Sequence, residues 1–226
     1  MKDEDIDDVL KQMGDAHPDV DAALLDSIST AIGSNLQPTE PIGAPWRLTV
    51  SLAALAAMLA IAIALVLGPH GVVKMDLEQG LSVFAVLGFS MLLSSTLLAA
   101  EAVPGSPRIL PPWSVVASSC LALGVAFALL FHEQRTGGFV VAGMKCLVAG
   151  TVSAIPVALL SRRVLRQGFF VNRAEAGLTA GTLAGLAGVA MLEIHCPNFE
   201  APHLLVWHIG VVLLSAALGA WVGSRR

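Results

Sequence analysis

Six long apolar runs restrict the fold of this sequence more than any other feature. Each is close to the ~17–25 residues that cross a bilayer as an α-helix. They extend over Leu48–Leu67, Leu81–Ala100, Ser114–Phe131, Met144–Ser161, Leu178–Ile194 and His203–Val222. Alanine, leucine and methionine dominate the runs, and none alternates as a membrane-barrel strand does. We therefore predict an all-α fold, a six-transmembrane-helix bundle, for residues 46–226.

Charged residues set the ends of these runs and exclude several functions. The chain is only 13% charged, against about 25% in soluble domains. A lysine at mid-bilayer costs about 2.5–3.5 kcal/mol, so Lys145, Glu193 and His195 are expected at an interface. With no carboxylate near a bilayer centre, a proton-coupled transporter, a charged ion filter and an intramembrane acid–base enzyme are disfavoured. Phosphate-binding loops and hydrolase motifs are absent from the sequence, so we expect neither an enzyme nor a cofactor.

The distribution of lysine and arginine predicts the orientation. With a cytoplasmic N-terminus, eight basic residues near the helix ends face the cytoplasm: Arg47, Arg108, Arg162, Arg163, Arg166, Arg173, Arg225 and Arg226. Lys74, Arg135 and Lys145 face the other side. By the positive-inside rule, both termini are cytoplasmic and residues 195–202 lie on the outer face.

Residues 1–45 form an acidic segment ahead of the bundle, with ten of the seventeen acidic residues of the chain. They are too acidic and too polar for a signal peptide. Apolar residues at helical spacing predict two short helices, and the candidate binding positions are Ile6, Val9, Leu10, Met13, Leu24, Leu25 and Ile28. The segment is either a solvated tail or a cytoplasmic recognition segment that docks its apolar stripes on a basic partner.

The fifth run carries glycines at four-residue spacing, Gly177, Gly181 and Gly185, followed by Gly188. Small residues at this spacing let two membrane helices approach closely. One interpretation is a face for homo-oligomer formation, and the other, which we favour, is tight packing inside the bundle.

The stretch EIHCPNFEAPHLLVWH, residues 193–208, holds a thiol and three imidazoles between two apolar runs. His203 and His208 are five residues apart, which is about 140° around an α-helix. That spacing disfavours a self-contained zinc site, and with Trp207 the two histidines are interpreted as anchors at the start of the sixth helix. A looser site for a soft metal, using Cys196 and a remote thiol, stays open.

Cys146 is the remote thiol that this topology supplies. It lies beside Lys145 at the outer end of the fourth helix, at a depth similar to that of Cys196. The pair could form a disulfide or act together as thiols, and His195 and His208 are candidates to tune them or to serve as accessory ligands. Cys120, near the cytoplasmic end of the third helix, is interpreted as a small core residue.

The C-terminal third of the chain resembles a known family. It reads KCLVAGTVSAIPVALLSRRVLRQG and then AGTLAGLAGVAMLEIHCPNFEAPHLLVWH. A cysteine ten residues before a proline, a basic loop, a Gly/Ala-rich helix running into His-Cys-Pro and a later Trp-His are also found in the bacterial NrsF family. These are integral-membrane negative regulators of sigma factor F.

This resemblance implies an anti-sigma factor of the bacterial inner membrane. The N-terminal segment would sequester an extracytoplasmic-function sigma factor, without direct nucleic-acid contact. Cys146 and Cys196 would sense heavy metal or oxidative stress on the periplasmic side. One alternative is a small transporter or membrane enzyme with its site at the periplasmic loop 195–208, which predicts a water-filled cavity that reaches toward the midplane. The other is a metal-binding membrane protein without signalling.

Overall fold

The protein divides into two compact units, residues 1–41 and residues 42–226. A computed structural model describes residues 21–35, 45–102, 110–132, 138–167 and 172–225. In the first unit the described residues form one helix, α1, Ala22–Asn35. The Asp21 carboxylate accepts a hydrogen bond from the Ala23 N–H at 2.9 Å, as an N-cap residue does. The second of the two short helices predicted for this segment is thus observed.

Helix α1 exposes several apolar side chains. Leu24 and Leu25 each expose 53% of their area and Ile28 exposes 46%. The earlier helix predicted around Ile6, Val9, Leu10 and Met13 lies outside the described residues.

The second unit contains six helices long and apolar enough to cross a membrane. They are α2 Pro45–Leu67, α3 Leu77–Ala102, α4 Pro112–Leu130, α5 Phe139–Gln167, α6 Arg173–His195 and α7 Ala201–Ser224. The six-helix all-α architecture is confirmed, and it is consistent with a multi-pass membrane protein. Each observed helix begins a few residues before the matching apolar run.

Helix α5 differs most from its predicted bounds, since it begins at Phe139 rather than Met144. Lys145 had fixed the predicted start. Its side chain is exposed in the structure, and a long lysine can reach the interface while its backbone stays helical within the bilayer. Lys145 therefore does not mark the start of α5.

The ends of the helices form two distinct faces. At one, here called the thiol end, α2, α4 and α6 finish and α3, α5 and α7 begin. Hydrogen bonds join these elements: the Gly71 N–H donates to the Ile194 carbonyl at 2.9 Å, and Gln79 Nε2 donates to the Leu130 carbonyl at 3.0 Å. The opposite face, the arginine end, carries the described arginines Arg47, Arg162, Arg163, Arg166, Arg173 and Arg225.

Helix α6 is the centre of the bundle. In its apolar window 89% of the residues are buried, against 22% to 50% in the other five spans. Asn172 caps its start by accepting from the Ala174 and Glu175 N–H groups at 3.1 and 3.3 Å. Pro197 follows its end, where the Cys196 N–H closes the last turn on Leu192, and a proline cannot continue a helix. Helix α6 therefore ends immediately before Cys196, whose sulphur lies close to that of Cys146.

Glycines let α6 pack against its neighbours at backbone contact. A side chain at Gly177 or Gly181 would meet the backbone of α7 at Gly219 or Ser215, and one at Gly188 would meet Gly150 of α5. The glycine face is thus used within the bundle, as the packing interpretation predicts.

Replacing Gly181 by leucine tests this packing. Overfilling a close-packed site costs about 1–3 kcal/mol, so we expect Gly181→Leu to lower the thermal unfolding temperature of the detergent-purified protein. The matched control is Gly88→Leu on α3, because nothing lies within 4 Å of a Cβ built at Gly88. Equal melting temperatures for the two variants would contradict the packing role.

Candidate thiol and histidine site

Four metal-competent side chains meet at the thiol end of the bundle. The sulphurs of Cys146 and Cys196 and one ring nitrogen each of His203 and His208 all lie within 4.8 Å of one another. We call these four residues the thiol–histidine cluster. Cys146 comes from α5, Cys196 from the residue after α6, and both histidines from the start of α7. The cluster therefore joins the three C-terminal helices.

The two thiols lie 3.4 Å apart, sulphur to sulphur, fifty residues apart in the sequence. This is hydrogen-bond distance, and both cysteines are free thiols. With Cys146 as the donor, their hydrogen bond lowers the pKa of the Cys196 thiol. Burial works against this change, whereas hydrogen bonding to His203 adds to it. A lowered pKa favours the thiolate of Cys196, and the thiolate is the form of cysteine that reacts with oxidants and binds metals.

A π-helical turn brings His203 and His208 together. Residues Leu204–His208 adopt this wider turn, and the Ile209 N–H donates to the Leu204 carbonyl five residues back. The two imidazoles lie 5.4 Å apart between ring centres. The separation of about 140° expected from the sequence assumed 3.6 residues per turn, and it does not hold here. A turn that closes every five residues places both rings on one face.

His208 is held by a buried carboxylate that the sequence analysis did not assign to the site. The His208 Nδ1 and Glu193 Oε1 atoms lie 2.6 Å apart, and both side chains are 0% exposed. A carboxylate can only accept, so His208 Nδ1–H donates to it. The other ring nitrogen, Nε2, is buried and has no hydrogen-bond partner among the described residues. Glu193 lies near the end of α6, and its side chain is buried between the helices.

One sequence signal could have revealed this pair. Ionisable residues within membrane spans pair with each other almost without exception, and Glu193 and His208 flank one short loop. A partner for Glu193 is therefore expected on the far side of this loop, where His208 lies.

Aromatic side chains close the site from the α4 side. Phe127 meets His208 edge to face at a ring-centre distance of 6.3 Å, and Phe131 stacks on Phe199 at 5.3 Å. Cys196 is 4% exposed and His203 is 0% exposed, so the cluster is largely shielded from water. In such surroundings electrostatic interactions between its members are strong.

His195 lies next to the cluster but faces away from it. Its Nδ1 donates to the Gly68 carbonyl at 2.8 Å, and its ring packs against His70 at 5.9 Å. The imidazoles that face the thiols are those of His203 and His208. Cys120, on α4, is half-buried and packs against the core, away from the other two cysteines.

This arrangement is suited to thiol chemistry. Two close sulphurs can be oxidised to a disulfide or can bind a thiophilic metal, and the histidines can add two nitrogen ligands.

Oxidation tests the thiol geometry. After treatment of the metal-free protein with a thiol oxidant such as diamide, we expect a disulfide between Cys146 and Cys196 within one chain. The two thiols lose two protons and two electrons, which reduce the oxidant. Peptide mass spectrometry measures the product, and Cys120 should stay open to alkylation under denaturing conditions. Cross-linking of Cys120 in preference to this pair would contradict the geometry.

Comparison with known proteins identifies the family of this chain. Comparison with curated proteins and with solved structures finds no match. The profile of one family, described as NrsF, negative regulator of sigma F, matches residues 33–226. That range covers most of the chain, including all six spanning helices and the whole thiol–histidine cluster. The chain therefore belongs to the NrsF family of negative regulators of sigma F.

Proposed function

We propose that this protein is a membrane-bound anti-sigma factor with a thiol sensor. Residues 1–45 sequester an extracytoplasmic-function sigma factor, and modification of Cys146 and Cys196 by a heavy metal or an oxidant releases it. Family membership supports a role as a negative regulator of a sigma factor. The observation that carries the sensor proposal is the 3.4 Å distance between two thiols from different helices.

The proposed orientation places the two functions on opposite sides of the bacterial inner membrane. The arginine end is cytoplasmic by the positive-inside rule, and the thiol end is periplasmic. Helix α2 begins at the arginine end, so the N-terminal segment joins the bundle on the cytoplasmic side. The thiols lie on the side where oxidation is favoured.

Helix α1 supplies the described part of the proposed binding surface. Leu24, Leu25 and Ile28 are each about half exposed, although leucine and isoleucine usually lie inside proteins. An amphipathic helix of this kind docks its apolar residues into a groove of the partner. The acidic residues of the segment would steer a basic surface of the sigma factor towards it.

A physical connection runs from the cluster to α2. The loop after α2 sits on the end of α6, where a side chain at Gly71 would lie 2.6 Å from the Cys196 carbonyl oxygen. Gly68 holds the neighbouring His195. Movement of Cys196 on modification would therefore disturb the end of α2, and α2 leads directly to the sigma-binding segment. A signal can cross only if it favours one packing of the helices over another.

One groove in the bundle lies away from the loop that the transporter alternative requires. It has a volume of about 640 Å³ and lies between α5, α6 and α7, from Thr151 towards Arg173 and Gly223 at the arginine end. None of the four cluster residues lines it. A transport site at residues 195–208 would need its cavity at the thiol end.

Capture of a sigma factor tests the binding role. Full-length protein purified in detergent should retain an extracytoplasmic-function sigma factor from the lysate of its own cells, identified by mass spectrometry. Replacing Leu24 and Ile28 together by aspartate should weaken retention at least tenfold, because apolar anchors dominate such interfaces. Ser27→Asp with Thr30→Asp is the control, since it adds the same charge to α1 and keeps the apolar residues. Equal retention by the two double variants would contradict docking through the apolar residues.

A transcriptional reporter for the captured sigma factor tests the sensor role. In cells that carry Cys146→Ser and Cys196→Ser, we expect output to stay at its uninduced level under cadmium or oxidant. Cys120→Ser should respond as the wild type does, because Cys120 lies outside the cluster. A normal response in the double variant would remove the two thiols from the mechanism.

A further inference from the structure

We propose that Cys146, Cys196, His203 and His208 form a tetrahedral Zn²⁺ site that is occupied in the resting protein. The site itself follows from the geometry of the four side chains. Only its regulatory meaning, given below, rests on the proposed function.

The spacing of the donor atoms is close to that of zinc ligands. Zinc binds sulphur at about 2.3 Å and nitrogen at about 2.0–2.1 Å, so the edges of a tetrahedral Cys₂His₂ site measure roughly 3.3–3.8 Å. The Cys146 and Cys196 sulphurs are 3.4 Å apart, and Cys196 Sγ lies 3.8 Å from His203 Nε2. All four donors lie within 4.8 Å of one another. Shifts of a few tenths of an ångström to about one ångström would complete the coordination.

Glu193 supports the site as an outer-sphere partner does. Metal-binding histidines commonly donate their second ring N–H to a carboxylate, which fixes the tautomer and orients the ring. The 2.6 Å contact between His208 Nδ1 and Glu193 Oε1 is such a bond. It leaves His208 Nε2 as a lone-pair donor, and this atom is fully buried and without a hydrogen-bond partner among the described residues. A metal ion at the centre of the cluster satisfies it.

Charge and ligand type favour zinc over other ions. Mixed sulphur and nitrogen donors in a tetrahedron are typical of Zn²⁺, whereas magnesium and calcium require oxygen ligands. Each cysteine must lose its proton on binding, and two thiolates neutralise the two positive charges of the ion. Four protein ligands leave no open position, so the site is structural rather than catalytic.

The bound ion would connect α5, the end of α6 and α7. On the proposed function, this state is the one that retains the sigma factor. A softer metal such as Cd²⁺ would compete for the same thiolates and change the geometry of the connection. The resting zinc ion would thus make the thiols selective for thiophilic metals.

Metal analysis of the full-length protein tests the site. Protein purified in detergent without chelators should contain one Zn²⁺ per chain, and after chelation it should take up one Co²⁺ with the visible absorption of a tetrahedral thiolate site. His203→Ala with His208→Ala, and Cys146→Ser with Cys196→Ser, should each lose that spectrum. Cys120→Ser and His195→Ala are the controls and should keep it. Wild-type protein that takes up no Zn²⁺ or Co²⁺, or histidine variants with unchanged spectra, would overturn the proposal.

A more conservative variant tests the metal site with less disturbance of the fold. Glu193→Gln keeps the shape of the side chain, and outer-sphere changes typically lower metal affinity about 10–100-fold. Competition with a chelating dye should show that decrease at unchanged stoichiometry, and unchanged affinity would contradict the supporting role of Glu193. Sigma-factor retention is measured on the same preparations. Zinc without a retained sigma factor would overturn the proposed function alone, and a retained sigma factor without zinc would overturn the site alone.

Discussion

The close approach of α6 to its neighbours is the constraint on which the rest of the bundle depends. Lipid chains are as apolar as leucine, so helices in a membrane associate through contact rather than through exclusion of water. Glycines at Gly177, Gly181 and Gly188 bring α6 to the backbones of α7 and α5. The three helices therefore pack closely against one another, and their ends lie side by side at the thiol end. The thiol–histidine cluster lies at that point because it takes residues from the same three helices.

A sequence of this kind predicts its fold well, because the bilayer imposes a length and a polarity on each span. All six spanning helices are predicted from apolar runs alone, and α1 is predicted from apolar residues at helical spacing. The start of α5 is not predicted in this way, because the helix extends beyond Lys145, the charged residue at the start of the apolar run. The differences concern the ends of helices, because the thickness of the bilayer constrains the spans and not the residues beyond them.

The site was less predictable than the fold. Cys146 and Cys196 could be placed together from topology, because both lie at the same end of neighbouring helices. The histidines could not, because their convergence depends on the π-helical turn over Leu204–His208, which no residue pattern announces. The pairing of Glu193 with His208 could be predicted, because an ionisable residue within a membrane span needs a partner. Local irregularity of the backbone, rather than composition, decides which imidazoles face the thiols.

The position of the cluster along the chain also affects its biogenesis. Its members are Cys146 on α5, Cys196 after α6 and two histidines on α7, so it cannot assemble until the last of the six helices has been synthesised and inserted. A truncated or half-inserted chain would present single thiols instead of the joined set. Completion of the cluster thus coincides with completion of the bundle, and the finished site is a marker that distinguishes mature protein from a nascent chain.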